Sequence, residues 1–284
     1  MLSAGARVGV FAPSGAYAPE RLEQGLELIR SWGLEPVAAP NLGARWRYLA
    51  GTDEQRLQDL QWALSAPDLD FAWMARGGSG LARLLGRLDW GAVRRGAMGF
   101  SDGTALLQAL RQRGIEGVHG PVLHSLADLC SRATQASVRA LLVEGERPDL
   151  PGAAWGPGQV TAPVVGGNLC VLASLCGTPL QLDARGCVVL LEDIGEPAYK
   201  LDRMLEQLRQ CGVFEGALGV GLGQFVGCAT PEGADYGIEQ VLREKLEPLG
   251  LPVVADLPVG HGRRNRPWTF GGRMRLDAAG LHAC

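Results

Sequence analysis

Histidine is scarce in this sequence. Only four are present, His119, His124, His261 and His282, and no metal-ligand motif is read among them, so no structural metal is expected. The seven cysteines (Cys130, Cys170, Cys176, Cys187, Cys211, Cys228 and Cys284) are odd in number and form no CxxC pair. That argues against a disulfide framework and reads as small buried hydrophobes in a reducing cytoplasm. A strong charge of either sign is also missing. Against 30 acidic residues stand 27 basic ones, for a formal charge of −3, which gives no reason to expect nucleic acid or an anionic membrane as a partner. Glycine or charge interrupts every apolar run well before the roughly 18 residues a membrane span needs. The opening Met1-Leu2-Ser3-Ala4-Gly5-Ala6-Arg7 lacks a basic stretch followed by an apolar core, so no export signal is read there and a cytoplasmic chain is expected. The Gly77-Gly78 loop fits neither G-x-G-x-x-G nor G-x-x-x-x-G-K-[ST], so no nucleotide loop is read there and no cofactor is expected.

What is present is an ordinary globular composition, 46% hydrophobic over 284 residues, long enough for two domains or one large one. Short apolar runs at Arg7 to Ala12, Val37 to Ala39, Phe71 to Ala75, Gly96 to Phe100 and Gly117 to His119 read as strands. Helical periods alternate with them, as at Pro19 to Trp32, where Leu22, Leu26 and Ile29 share a face. Thr52-Asp53-Glu54-Gln55 is a capping box that opens the next helix. This alternation predicts an α/β fold: an N-terminal parallel-sheet domain of flavodoxin/Rossmann-like type, followed by a smaller mixed α/β C-terminal domain. Proline and glycine crowd residues 146–163, which read as a linker between domains at 1–145 and 164–284. In a parallel sheet, ligands gather outside the carboxyl ends of the strands, so Pro13-Ser14-Gly15, Gly77-Gly78 and Ser101 are expected on one edge.

Gly99-Phe100-Ser101-Asp102-Gly103 has the form G-x-S-x-G, which sets a serine on a sharp, strained turn between a strand and a helix. A serine that merely caps the helix is the plain alternative. As a nucleophile, Ser101 needs a base and a group to orient that base. His261, between two glycines after an apolar segment, is the first candidate, and His119 competes from its place near the serine strand. His124 and His282 read as structural or solvated. For the acid, Glu192 stands against Asp193 and Glu196 at the end of the apolar run Cys187 to Leu191, and the residues alone leave the choice open. Backbone N–H groups of Asp102 and of Gly77 and Gly78 would serve as an oxyanion hole.

Taken together, Ala12-Pro13-Ser14-Gly15, Ala50-Gly51-Thr52-Asp53, Arg76-Gly77-Gly78-x-Gly80, Gly99-Phe100-Ser101-Asp102-x-Thr104, His119-Gly120-Pro121, Gly166-Gly167-Asn168-Leu169, Gly177-Thr178-Pro179, Leu191-Glu192-Asp193-Ile194-x-Glu196 and Gly260-His261 resemble the LD-carboxypeptidase family. That family includes muramoyltetrapeptide carboxypeptidases and microcin C immunity peptidases. The resemblance implies a serine peptidase with Ser101 as nucleophile, His261 as base and Glu192 as the orienting acid. The serine would lie in one domain and the other two residues in the next, often within a homodimer. The implied substrate is a muropeptide or small peptide, cut between the L-centre of a diamino acid and a terminal D-alanine during cytoplasmic wall recycling. Arg76, Ser79 and Asn168 are candidate substrate contacts, and Arg263, Arg264 and Arg266 are further cations for its carboxylate. Two positions depart from the family pattern: Ser79 replaces the usual aromatic residue of Arg-Gly-Gly-Tyr-Gly, and Thr269-Phe270-Gly271 replaces Pro-Leu-Gly. No long insertion interrupts the second half, which favours the carboxypeptidase branch over the immunity branch. The other readings are an α/β-hydrolase-type esterase and a non-catalytic muropeptide-binding protein.

Overall fold

Runs as brief as Val8-Gly9-Val10-Phe11 cannot bury themselves as helices, and as strands with both faces covered they become the centre of a sheet. In the computed structural model, which describes residues 1–284, the chain forms two units. The first comprises Met1–Arg147 and Arg266–Thr269, the second Pro148–Asn265 and Phe270–Cys284.

The first unit alternates strand and helix: β1 (Arg7–Phe11), α1 (Pro19–Ser31), β2 (Glu35–Ala38), α2 (Asp53–Ser65), β3 (Phe71–Met74), α3 (Ala82–Leu85), β4 (Ala97–Gly99), α4 (Gly103–Arg111), β5 (Gly117–His119), α5 (Leu123–Leu126) and α6 (Arg132–Arg139). The strands pair in parallel in the order β2-β1-β3-β4-β5, with Val10 opposite Trp73 and Met98 opposite Val118. The winding direction reverses between β1 and β3, where an open parallel sheet forms its ligand crevice. Helix α1 buries Leu22, Leu26 and Ile29 as its period requires, with Pro19 in the first turn. The α2 capping box forms in full: Thr52 Oγ1 accepts from the Gln55 N–H at 3.3 Å, and Gln55 Oε1 accepts from the Thr52 N–H at 3.0 Å.

The second unit contains β6 (Leu150–Pro151), β7 (Ala153–Ala154), β8 (Val160–Asn168), α7 (Leu169–Ser174), β9 (Val188–Ile194), α8 (Ala198–Gln210), β10 (Gly219–Val226), α9 (Ile238–Leu246) and β11 (Val253–Ala255). The strand β12 (Trp268–Phe270) borders β5 in the first sheet, and β13 (Arg273–Asp277) and β14 (Gly280–Ala283) complete the second. That second sheet runs β6-β14-β13-β8-β9-β10-β11-β7. Its two outermost strands, β6 and β7, are separated in sequence by Gly152 alone, so one short segment joins both edges and curls the sheet toward a barrel.

This corrects the expected linker. Residues 150–154 pair with β14 and β11, and β8 begins at Val160, because prolines and glycines are tolerated on sheet edges as well as between domains. The C-terminal domain expected at 164–284 therefore begins earlier, and it gives up Arg266–Thr269 to the first unit. The helix between β3 and β4, α3, is a single short turn. No helix is long and apolar enough to cross a membrane.

Candidate active site

In the first unit, the loops after β1, β3 and β4 emerge from neighbouring strands. Ser101, immediately after β4, has φ +60, a left-handed conformation that a residue with a Cβ rarely adopts. The chain turns there at once into α4, with the Gly103 N–H donating to the Phe100 carbonyl at 2.9 Å and the Thr104 N–H to the Ser101 carbonyl at 3.0 Å. Gly77 lies directly against the serine: a Cβ built on it would fall 2.8 Å from Ser101 Cβ and 3.0 Å from its Oγ. The Gly15 N–H donates to the Gly77 carbonyl at 3.0 Å, and a Cβ on Gly78 would meet Gly15 at 3.0 Å. Gly78 and Ser79 are exposed and Arg76 is half-buried, its guanidinium lying beside Gly15.

Under these loops is a polar core. Asp102, 6% exposed, accepts on Oδ2 from the Ser14 hydroxyl at 2.6 Å and from the Leu81 N–H at 2.9 Å. Burial pushes its carboxyl above the usual aspartate range, against these hydrogen bonds and nearby Arg56, which lower it. Arg56, fully buried on α2, donates to the carbonyls of Pro13, Gly51 and Gly80 and pairs with Asp53.

In the second unit, strand alternation gives the adjacent acids Glu192 and Asp193 opposite tasks. Glu192, fully buried on β9, lies with Oε2 2.7 Å from His261 Nδ1. Asp193 turns the other way, accepting from the Cys170 N–H at 3.0 Å and the Ile194 N–H at 2.8 Å. Burial raises the Asp193 carboxyl above its ordinary range, partly offset by these bonds. Asn168 braces both acids: its Nδ2 donates to Glu192 Oε1 at 3.3 Å and Asp193 Oδ1 at 3.0 Å, and its Oδ1 caps α7 by accepting from the Val171 N–H at 3.0 Å. Glu196, the third candidate, pairs instead with Lys200 at 3.2 Å. His261 is carried on a loop that docks where β10 bulges between Leu222 and Phe225. Gly260 has φ +138, which a residue with a Cβ rarely adopts, and Gly262 lies against the amide end of the Gln224 side chain.

Residues 8–120 match the model of the LD-carboxypeptidase N-terminal domain and residues 161–276 that of the C-terminal domain. The chain belongs to the LD-carboxypeptidase family. It is 37% identical over 287 residues to the murein tetrapeptide carboxypeptidase of Pseudomonas aeruginosa, covering 95% of this chain and 93% of that protein. Among solved structures, the muramoyltetrapeptide carboxypeptidase of Oxalobacter formigenes superimposes with a TM-score of 0.85 at 26% identity, covering 98% and 100% of the two chains. MccF in complex with glutamyl sulfamoyl guanosine reaches 0.87 at 22% identity over 97% and 94%, a likeness of fold. This LD-carboxypeptidase is thus a serine-type peptidase, a hydrolase.

The other histidines of this LD-carboxypeptidase have different surroundings. His119 is fully buried, stacked on Trp268 at 4.9 Å between ring centroids and edge-on to Phe100 at 5.3 Å. His282 lies between Asp277 at 3.1 Å and Asp149 at 3.3 Å near the C-terminus. His124 sits on α5, where burial and then Arg21 and Arg76 lower its pKa. Two residues of the polar core escape sequence reasoning. Ser14 is read only within the Pro13-Ser14-Gly15 turn expected at the sheet edge, and Arg56, inside the helix that the capping box opens, is not singled out. A charged residue just inside a capping box, flanked by Leu57 and Leu60, was the available signal.

Proposed function

We propose that this peptidase releases the terminal D-alanine of muropeptide tetrapeptides by cutting its bond to the L-centre of a diamino acid. In this reading Ser101 is the nucleophile, His261 the general base and Glu192 the acid that orients it. The observation that carries the proposal is the 2.7 Å contact between the buried Glu192 carboxylate and His261 Nδ1. With the Nδ1–H directed at Glu192, Nε2 holds the lone pair that can take a proton from a serine hydroxyl. Supporting it are the strained Ser101 turn and the activity in the name of the Pseudomonas relative.

The step runs as acyl transfer. Ser101 Oγ attacks the scissile carbonyl carbon as its proton passes to His261. The oxyanion is met by the Asp102 N–H and by those of Gly77 and Gly78, and the imidazolium then protonates the departing D-alanine amine. Water, deprotonated by the same imidazole, hydrolyses the acyl-enzyme. In the first unit Arg76 is the proposed partner for the substrate's terminal carboxylate, with Ser79 beside it and Asn168 assigned to the substrate in the second. Arg263, Arg264 and Arg266 are the other cations proposed for that role. We place this chemistry in a cytoplasmic homodimer that recycles wall peptides.

Mass spectrometry of products from a muramoyl tetrapeptide tests the reading directly, with an L,L-dipeptide and an acyl-adenylate mimic alongside. Release of D-alanine by the wild type, and its loss in folded Ser101→Ala and His261→Ala, is expected. Hydrolysis retained by Ser101→Ala refutes the mechanism, and cleavage of the adenylate mimic alone moves the chain to the immunity branch.

A further inference from the structure

The Asp102 side chain has no part in the proton path above, yet it is buried and hydrogen-bonded directly beside the serine. One oxygen, Oδ2, accepts both the Ser14 hydroxyl and the Leu81 N–H. Ser14 belongs to the loop after β1, Leu81 closes the loop after β3, and Asp102 itself follows Ser101 after β4. Since β1, β3 and β4 are neighbours in the sheet, a single atom ties together three adjacent loops at their carboxyl ends. Arg56 grips the same loops a second time, donating to the carbonyls of Pro13 and Gly80, the residues just before Ser14 and Leu81. Between these two anchors lie Gly77 and Gly78, one held by the Gly15 N–H and both packed too closely for a side chain.

We infer that the Asp102 side chain is a positioning group, a clamp that sets the Gly77-Gly78 amides against the Ser101 hydroxyl by accepting from Ser14 and Leu81 at once. This rests on reading Ser101 as the nucleophile, and it adds Ser14 and Asp102 to the residues on which the rate depends, without either side chain touching substrate. Both partners are donors, so the position calls for an acceptor. A carboxylate suits it, and so does the amide oxygen of asparagine, which can stand where Oδ2 stands and receive both bonds. An apolar side chain cannot, and it would leave the two loops free to shift by a fraction of an ångström or more.

The test is the rate at which a fluorophosphonate labels Ser101, a reaction that needs the nucleophile and its amide donors but no muropeptide, read beside kcat and KM for D-alanine release. Asp102→Ala should slow labelling and kcat by about 100-fold with KM within about threefold, the scale of a misplaced oxyanion donor. Ser14→Ala, which removes one of the two bonds and fills the same space, should slow both about 10-fold, and Asp102→Asn should recover to within about fivefold of wild type. Ser14→Ala carries the test alone should Asp102→Ala fail to fold. Ser14→Ala labelling within twofold of wild type overturns the clamp, as does Asp102→Asn labelling as slowly as Asp102→Ala. A wild type that labels but releases no D-alanine refutes the substrate reading and leaves the labelling series to decide the clamp. A wild type that does not label overturns both.

Discussion

Gly77→Ala isolates the effect of one methyl group on the serine. Gly77 is not among the glycines with a left-handed φ, so alanine can adopt its backbone and the perturbation is steric. The new Cβ would sit 2.8 Å from Ser101 Cβ, 3.0 Å from Oγ and 3.2 Å from the Phe100 carbonyl oxygen. Carbon atoms in good contact lie about 3.5–4.0 Å apart, so loop and serine must part by roughly 0.7–1.2 Å. Displacement on that scale is expected to cost about 100-fold in kcat. The overpacking itself should cost about 1–3 kcal/mol of stability, so the variant folds. Gly86→Ala is the control: it has φ −74 and nothing within 4 Å of a built Cβ, and it should match the wild type. Fluorophosphonate labelling and D-alanine release, each normalised to folded protein by near-UV circular dichroism, give the comparison. Gly77→Ala labelling within threefold of Gly86→Ala would show that this loop does not set the serine's geometry.

Arg56→Met should destabilise the protein by about 3–5 kcal/mol, measured as a lowered urea midpoint, because it leaves unsatisfied three carbonyls that the fully buried guanidinium now bonds and removes one of the two arginine partners of Asp53, the other being Arg83. Thr52→Ala, which opens the capping box of α2, should cost about 1 kcal/mol by the same measurement; no change would mean that tertiary packing alone holds the helix end. Buried Asp102 and Asp193 have carboxyls raised in the folded chain, so each binds its proton more tightly there than when unfolded. The stability this gives is fully present below their ordinary range near 3.8 and is lost as pH rises through the raised folded values. The urea midpoint of Asp102→Asn, relative to wild type, should therefore rise as pH increases above the ordinary aspartate value near 3.8, and a relative fall would reverse the assigned cause.

The parallel sheet of the first unit is written plainly in the sequence, because each strand is a short apolar run and each helix carries its own period. The strained turn at Ser101 is equally legible, since G-x-S-x-G is a backbone requirement stated in side chains. The choice between Glu192 and Asp193 is not, because adjacent strand residues point to opposite faces and nothing local says which face holds His261. Asn168, proposed as a substrate contact, also braces both acids, a role illegible in sequence because it depends on β8 lying beside β9. The strands within 146–163 were hidden for the opposite reason: their pairing partners, β11 and β14, lie about a hundred or more residues onward, and proline and glycine give the same signal at a sheet edge as in a free loop.

The return of residues 266–269 to the first sheet makes the N-terminal half a piece that its own first 147 residues do not complete. An expression fragment stopped at the boundary would leave the outer side of β5 without its hydrogen-bonding neighbour, an invitation to pair with another molecule. It would also leave His119 without the Trp268 ring against it and Gly120 without Pro267. On the ribosome the same half must wait for nearly the whole polypeptide before its sheet is finished. Dissecting this protein into separately made halves therefore calls for grafting that short stretch onto the first.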